Sequence, residues 1–168
     1  NIGYNGRYLV YPYVTEDGNS YAARCILPNR QEDNFWHGDE NFTSGGFQVF
    51  GAPEIERCEG GALFVTEGED NLLALKALGY PGIAVPSAGD LEYISTERLE
   101  GIENIFMVVN NTPEAYLAAR DTATRIGFKV RILMWPRRLK RGYNLTDLAK
   151  EKGREFRTAV SSLIQTSK

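Results

Sequence analysis

The most informative run of this chain reads Ala62-Leu63-Phe64-Val65-Thr66-Glu67-Gly68-Glu69-Asp70-Asn71-Leu72-Leu73-Ala74-Leu75. Its first five residues are apolar, aromatic or β-branched, which predicts a buried strand. Gly68 then interrupts the run, and apolar residues follow at helical spacing. Open α/β sheets bind ligands at the carboxyl ends of their strands, so we expect Glu67 to line a site. Glu69 and Asp70 fall in the predicted first helical turn, where acids usually act as caps or partners of the helix dipole.

The composition is that of an ordinary globular domain. Of the 168 residues, 42% are hydrophobic and 24% are charged. No apolar run approaches the roughly 18 residues that a membrane span needs, and no signal peptide opens the chain. We therefore expect a cytoplasmic protein with no membrane partner. Because Asn1 stands where a Met would begin a gene product, we also expect a fragment of a longer protein.

Cysteine and histidine are too few for a zinc site. Cys25, Cys58 and His37 are the only residues of these types, and no zinc-ligand spacing can be built from them. We expect both thiols to be reduced. The sequence also lacks the Gly-x-x-x-x-Gly-Lys motif that cradles nucleotide phosphates, so we expect no helicase motor in it.

Charge is divided sharply along the chain. Residues 1–119 hold 6 Lys and Arg against 18 Asp and Glu, whereas residues 120–168 hold 13 against 4. Such asymmetry indicates a surface that faces a polyanion at the basic end. The alternative is that the two charged regions neutralise one another across the fold.

Residues 1–61 predict a small β-rich region. Arg7 to Val14 and Ser20 to Leu27 are rich in strand-forming residues, and Glu16-Asp17-Gly18-Asn19 predicts the turn of a hairpin between them. Strand aromatics usually pack in a core or across strands, although they also stack on nucleotide bases. The aromatic residues in question include Tyr8, Tyr11, Tyr13, Phe35, Trp36 and Phe47.

From residue 62 onward, strands and helices alternate, which predicts a parallel α/β sheet. The predicted strands are Leu63–Thr66, Ile83–Val85, Ile105–Val109 and Val130–Met134. The predicted helices are 69–78, 90–100 and 113–126, followed by two helical stretches that Gly153 separates. Right-handed crossovers place the carboxyl ends of all strands at one rim. We therefore expect Glu67, the loop 86–90 and the segment 110–112 to lie along a common edge.

These features resemble the TOPRIM domain, the nucleotidyl-transfer and hydrolysis fold of primases and topoisomerases. The first motif of that family is an apolar strand followed by Glu-Gly and a nearby Asp, and here it reads Val65-Thr66-Glu67-Gly68-Glu69-Asp70. The preceding region resembles the small subdomain before TOPRIM in bacterial and phage primases. Its matching features are Val10-Tyr11-Pro12, Asp17-Gly18, Ala23-Arg24 and Val49-Phe50-Gly51.

The resemblance implies an α/β fold with a TOPRIM-like (Rossmann-like) parallel four-stranded sheet and flanking helices, preceded by a small β-rich subdomain. We expect the β-rich subdomain at 1–61, the TOPRIM domain at 62–152 and a C-terminal helix at 153–168.

The resemblance also implies a Mg²⁺ or Mn²⁺ site, some of whose acids are replaced here. TOPRIM enzymes end the third strand with Asp-x-Asp, and these two positions are Asn110 and Thr112 in this chain. Asn144 replaces a later acid of the family, whereas Asp147 matches. Because Mg²⁺ favours carboxylate oxygen, we expect a degenerate or weak metal site. Its candidate ligands are Glu67, Asp70, Asn110, Thr112, Glu114 and Asp147.

Alternative roles stay open for several of these residues. Thr112 fits a structural role as an N-cap, with Pro113 at the first helical position, and Asn144 fits a second N-cap. Glu114 lies in the first turn and could instead help to rebuild a weaker metal site through a water. Glu67 is the expected catalytic residue, which would assist proton transfer in an active primase.

The resemblance implies a single-stranded DNA template and nucleotides as partners. We expect Arg24 to contact a nucleotide or template phosphate, although it could also be an exposed strand charge. The basic residues Arg137, Arg138, Lys140 and Arg141 are expected to contact phosphates. A flanking zinc ribbon or a replicative helicase also fits the family.

Three functions therefore compete. The first is a DNA primase-like module of a replication protein that binds single-stranded DNA and nucleotides, with RNA primer synthesis impaired by the lost metal ligands. The second is an active primase core with a rebuilt magnesium site. The third is a structural or protein-interaction domain with no nucleic-acid role.

Overall fold

Two four-stranded sheets form the framework of the computed structural model, which describes residues 2–15, 17–28, 30–38 and 49–167. The strands of the first, antiparallel sheet are β1 (Gly3–Tyr4), β2 (Leu9–Val14), β3 (Ser20–Leu27) and β4 (Arg30–Gly38). Those of the second, parallel sheet are β5 (Ala62–Glu67), β6 (Gly82–Val85), β7 (Asn104–Val108) and β8 (Val130–Ile132). The α-helices are α1 (Glu54–Arg57), α2 (Glu69–Ala77), α3 (Pro113–Ile126), α4 (Leu145–Lys152) and α5 (Phe156–Gln165). Short 3₁₀ helices cover Ala88–Tyr93, Glu97–Leu99 and Gly153–Glu155.

The parallel sheet has the strand order β6-β5-β7-β8, and its four strands begin and end within two residues of the predicted bounds. Leu63, Phe64 and Val65 of β5 are at most 2% exposed, because helices cover both faces of the sheet. Leu63 and Val65 pack towards α3 and the first two 3₁₀ helices, whereas Phe64 packs towards α2, α4 and α5. The predicted parallel α/β sheet with flanking helices is therefore confirmed.

The predicted hairpin is also confirmed, since β2 and β3 pair antiparallel. The sheet is completed by β4, which pairs with β3 and which the sequence did not mark separately because its first residues are polar. Tyr11 and Tyr13 lie in the core rather than on a surface where bases could stack. Phe47 and Glu16 lie outside the described residues.

The single helix predicted at 90–100 is wrong, because two of the short 3₁₀ helices occupy this segment. Arg125 donates hydrogen bonds from its guanidinium group to the carbonyl oxygens of Leu91 (3.0 Å) and Ile94 (2.6 Å). A continuous α-helix would use these carbonyls in its own hydrogen-bond ladder. The carbonyl of Leu91 also accepts the backbone N–H of Ile94 at 3.3 Å, a 3₁₀ bond, so α3 holds this segment through Arg125 in a non-α conformation.

The antiparallel sheet packs against the parallel sheet through its aromatic face. The backbone of Phe50 forms a β-bridge with Ala84 of β6, with N···O distances of 2.8 and 2.9 Å. Tyr11, Tyr13 and Ile26 share an apolar cluster with Phe50, Ala84 and Leu72 of α2. This packing brings β3 beside the start of α2. The domain boundaries expected from the sequence, at 1–61, 62–152 and 153–168, stay predictions.

Two smaller expectations concern the thiols and the membrane. Cys25 and Cys58 are both buried and form no disulfide bond with each other; their reduced state stays a prediction. Burial raises the pKa of both groups, which favours the unreactive protonated form. Within the described ranges, no helix combines the length and the apolar character that crossing a bilayer requires.

Candidate functional site

A pocket of about 140 Å³ opens where β5 and β7 end. Its polar lining comes from β3, the end of β5, the start of α2, the second residue after β7 and the start of α4. These residues are Arg24, Glu67, Glu69, Asp70, Asn71, Asn110, Asn144 and Thr146. The carboxyl ends of parallel strands meet at one edge of a sheet, so residues far apart in the sequence converge there.

Glu67 ends β5 and is hydrogen-bonded to the segment that follows the neighbouring strand β7. Its Oε2 accepts a hydrogen bond of 2.9 Å from the backbone N–H of Asn110. Burial raises the pKa of Glu67, and hydrogen bonds from Asn110 and from the backbone of Ala88 oppose this rise only in part. A carboxyl group with a raised pKa at the edge of a pocket is suited to accept and release a proton. Gly68 has a φ of 83°, which lets the chain turn from β5 into α2 without strain.

Asn71 joins three walls of the pocket through its side-chain amide. Its Nδ2 donates to the backbone oxygen of Glu67 at 2.7 Å and to Oδ1 of Asn110 at 3.3 Å. Its Oδ1 accepts from the backbone N–H of Thr146 in α4 at 3.1 Å. The side chain is 6% exposed. The ends of β5 and β7 and the start of α4 are therefore held together by a neutral amide.

A buried ion pair ties the antiparallel sheet to this site. Nη1 of Arg24 in β3 lies 3.1 and 2.9 Å from the two carboxylate oxygens of Glu69. The hydroxyl group of Tyr13 donates to the same carboxylate at 2.8 Å. The side chains of Arg24 and Glu69 are 14% and 3% exposed. Arg24 is therefore not an exposed strand charge, and Glu69 largely balances its charge.

Asp70 is held in a similar way by the first sheet. The hydroxyl group of Tyr11 donates a hydrogen bond to Oδ1 of Asp70. Burial, together with the nearby Asp70 carboxylate, raises the pKa of Tyr11. The N-cap of α2 is Gly68, without a side-chain cap bond. The two acids in the first turn therefore do not cap the helix but connect it to β2 and β3.

The other three predicted metal ligands lie outside the lining of the pocket. Thr112 caps α3, since its Oγ1 accepts from the backbone N–H of Ala115 at 3.1 Å. Glu114 is exposed and pairs with Arg141 at 2.7 Å. Asp147 pairs with Lys140 at 3.5 Å. The structure thus confirms the N-cap interpretation of Thr112.

The side chains at this rim form a poor donor set for a divalent metal ion. Among the predicted ligands, Glu67 and Asp70 bring carboxylates to the pocket, and Tyr11 already donates to the second. The amide oxygen of Asn110 is neutral and accepts from Asn71. Over the part of the chain that the structure describes, no group of three or more His, Cys, Asp and Glu side chains is arranged to hold a metal. Mg²⁺ is usually bound by carboxylates and substrate phosphates.

The predicted basic residues lie on one loop between β8 and α4, residues 136–142, which we call the basic loop. Arg137 and Arg138 are exposed, and the charge of Arg138 helps to lower the pKa of Glu151. Lys140 and Arg141 are also exposed but take part in the ion pairs above. The C-terminal end of the basic loop leads directly to Asn144, whose side chain caps α4 and lines the pocket.

Sequence reasoning missed the roles of Glu69, Asn71 and Thr146 in the pocket. The partners of Glu69 are on β2 and β3, so its role depends on how the first sheet packs against α2. Asn71 follows Glu67 by four residues, a spacing that could have indicated a side chain returning to the strand end. Thr146 contributes through its backbone N–H, for which side-chain patterns give no signal.

Comparison with known proteins identifies the fold. No family model and no curated protein matches the sequence, but solved structures do. The primase fragment of the bacteriophage T7 primase-helicase protein matches with a TM-score of 0.70 at 20% identity, over 94% of this chain and 64% of that one. The Aquifex aeolicus primase (zinc-binding and RNA polymerase domains) matches with a TM-score of 0.72 at 17% identity, over 100% of this chain and 44% of that one.

A third neighbour is the DnaG primase catalytic domain bound to single-stranded DNA. It matches with a TM-score of 0.71 at 16% identity, over 96% of this chain and 52% of that one. The chain thus spans between 44% and 64% of the length of these three neighbours. Its fold is that of the catalytic core of bacterial and phage DNA primases, as its motifs predicted.

Proposed function

We propose that this chain is a primase-like module of a replication protein that binds single-stranded DNA and nucleotides and whose capacity for primer synthesis is impaired. One observation carries the proposal. The second residue after β7 is the neutral Asn110, and its amide oxygen accepts a hydrogen bond from Asn71 instead of being a free anionic ligand. The pocket keeps the shape of a site at a strand end, but a charge that a divalent metal needs is absent there.

Catalysis would be weakened for an electrostatic reason. Two-metal phosphoryl and nucleotidyl transfer relies on metal ions to stabilise the charge that develops on the attacking and leaving oxygens. Glu67 retains the ability to accept a proton, but proton transfer alone supplies a smaller part of the rate. We therefore expect that this chain binds DNA and nucleotides but joins nucleotides slowly.

The basic loop provides the surface for the nucleic acid. Arg137 and Arg138 are exposed to solvent, so phosphates can reach both guanidinium groups. Arg24 lies at the wall of the pocket and is the candidate contact for a nucleotide phosphate, despite its ion pair with Glu69. The neighbour bound to single-stranded DNA and the neighbour from a primase-helicase protein are consistent with a DNA template and a helicase as partners.

The test is the affinity for single-stranded DNA, measured by fluorescence anisotropy over a series of salt concentrations. The affinity of a phosphate-binding surface falls as salt rises, with a log–log slope of about −0.7 for each phosphate contacted on a single strand. Replacing Arg137 and Arg138 by Ala should weaken binding and reduce the magnitude of the slope by about 1.4. The matched control is the double replacement of Arg120 and Arg154, which are equally exposed but lie outside the basic loop.

Three results would contradict the proposal. Binding that does not depend on salt would favour a structural or protein-interaction domain. An equal loss in the Arg120 and Arg154 control would show that any surface cation contributes. Template-directed primer synthesis by the unaltered chain would support an active primase core with a rebuilt metal site at Glu67 and Asp70.

A further inference from the structure

We infer that Asn111 is a positioning residue that fixes the basic loop beside the pocket, so that phosphate binding by Arg137 and Arg138 depends on a side chain that never touches the nucleic acid. The inference rests on the proposed function, because it concerns the same binding surface. Asn111 lies between Asn110, which lines the pocket, and Thr112, which caps α3. Neither of those roles requires anything of the residue between them.

The contacts of Asn111 all point to the basic loop and the residue after it. Its Nδ2 donates to the carbonyl oxygens of Leu139 at 3.1 Å and Lys140 at 2.9 Å. Its backbone N–H donates to the oxygen of Tyr143 at 2.8 Å, and its backbone oxygen accepts from the N–H of Gly142 at 2.9 Å. Four hydrogen bonds from one residue therefore hold one loop.

The basic loop has few other constraints on its backbone. Within the described ranges it forms no helix or strand, and its own backbone bonds are two turn contacts, Leu139 N–H to Pro136 O at 3.0 Å and Tyr143 N–H to Lys140 O at 3.2 Å. The side chain of Asn111 donates to the carbonyl oxygens of Leu139 and Lys140, which can still accept a hydrogen bond after the turn contacts are made. Its amide thus connects the two turns to the end of the parallel sheet.

The chemistry of this position requires an amide. An Asp side chain of the same shape would direct carboxylate oxygens at two carbonyl oxygens, since a carboxylate is an acceptor only. An Ala side chain would leave both carbonyls without this partner. The amide therefore has a function here that differs from that of Asn110, where the family pattern implies a carboxylate.

Fixing the loop matters because Arg137 and Arg138 lie on it. A loop that samples many positions must be ordered when it binds, and that ordering reduces affinity. Asn111 directly follows the pocket residue Asn110, and Tyr143 directly precedes the pocket residue Asn144. The backbones of Asn111 and Tyr143 are hydrogen-bonded to each other. The basic loop is thereby fixed beside the pocket. A DNA strand that contacts both Arg137 and Arg138 and the pocket would need this fixed arrangement.

The experiment is a double-mutant cycle on single-stranded DNA affinity at low salt. We expect Asn111→Ala and Asn111→Asp each to weaken binding about three- to tenfold, the scale of one or two lost hydrogen bonds. In the background lacking both Arg137 and Arg138, Asn111→Ala should have a smaller effect on affinity, because only Lys140 and Arg141 of the basic loop remain to be positioned. Thermal unfolding should show that Asn111→Ala lowers stability by the same amount in both backgrounds. A purely structural role would then predict the same loss of DNA affinity in both backgrounds, whereas a positioning role predicts a loss that depends on the arginines.

A control distinguishes positioning from a general loss of stability. Ile102→Val removes one methyl group from the core on the other side of the parallel sheet, and DNA affinity should stay unchanged. If the unaltered chain shows no salt-dependent DNA binding, the proposed function itself fails. If the unaltered chain binds and loss of the arginines weakens binding, but Asn111→Ala leaves affinity unchanged or acts additively with them, the positioning role is overturned.

Discussion

An amide and a carboxylate have nearly the same shape but differ by a full charge, and amides stand at three positions around the pocket. Asn71, Asn110 and Asn144 each take part in hydrogen bonds that join two elements or cap a helix. The carboxylates that line the pocket also have hydrogen-bond donors: Glu67 accepts from a backbone N–H, and Glu69 accepts from Arg24. At the residue scale, the amides and carboxylates of the pocket are hydrogen-bonded to one another and to neighbouring side chains, and Arg24 pairs with Glu69, one of its three carboxylates.

Glu67 makes the stability of the protein depend on pH. Burial raises its folded pKa above the ordinary value of 4.5, so the folded state binds this proton more tightly than the unfolded state does. Its contribution to stability is complete below the unfolded pKa and is lost as pH rises through the folded pKa. We expect Glu67→Gln, which mimics the neutral form, to be more stable than the unaltered chain at neutral pH.

Urea unfolding at a series of pH values measures this difference. The advantage of the Gln variant should shrink as pH falls towards 4.5. An advantage that grows on acidification would mean that the pocket prefers the ionised carboxylate, contrary to the pKa shift.

The Arg24 and Glu69 pair gives a second prediction at this scale. Removing one partner of a buried ion pair leaves an uncompensated charge and typically costs about 3–5 kcal/mol. Arg24→Met should destabilise the protein by an amount in that range, and adding Glu69→Gln should recover most of the loss. Chemical denaturation of the two variants checks this, and a double variant no more stable than Arg24→Met would show that the charge of Glu69 is not the cause.

The start of α3 shows how one residue can serve an element rather than a site. Thr112 has the extended backbone of an N-cap, and Pro113 follows at the first helical position, where its missing N–H costs nothing. Both features were read directly from the sequence. The same holds for Asn144, whose side chain accepts from the N–H of Asp147 at 3.0 Å and caps α4.

Substitutions at Thr112 separate capping from metal binding. Thr112→Ala should lower the free energy of unfolding by about 1 kcal/mol, the usual cost of losing an N-cap. Thr112→Asp should be close to neutral because Asp is an equally good cap. Urea unfolding at neutral pH decides, and the expectation fails if Ala is tolerated as well as Asp.

Sequence predicted the elements well wherever the pattern was local. β5 was recognised because an unbroken apolar run is typical of a strand buried on both faces. The helix expected at 90–100 failed because Arg125, distant in the sequence, binds the carbonyls of Leu91 and Ile94. The position of Glu67 and Asn110 at one rim was predicted, because it follows from the order of the parallel strands. The ion pair of Arg24 was not predicted, because it depends on sheet packing that no local pattern encodes.

At the scale of the whole molecule, the structure qualifies the sharp division of charge. Part of the basic excess in residues 120–168 is used internally, as in the pairs of Arg141 with Glu114 and Lys140 with Asp147. Arg137 and Arg138 remain exposed at the end of the parallel sheet that carries the pocket. A polyanion bound there would approach a pocket that holds three amides, three carboxylates and Arg24.

We propose that this chain, which has the fold of a primase core, lacks at Asn110 a carboxylate that binding of the catalytic metal ions needs. Calorimetric titration with Mg²⁺ and Mn²⁺ tests this most directly, on the unaltered chain and on the Asn110→Asp, Thr112→Asp double variant. We predict saturable binding heat from the double variant and none from the unaltered chain at millimolar metal. Saturable binding by the unaltered chain at millimolar or lower concentration would contradict the claim.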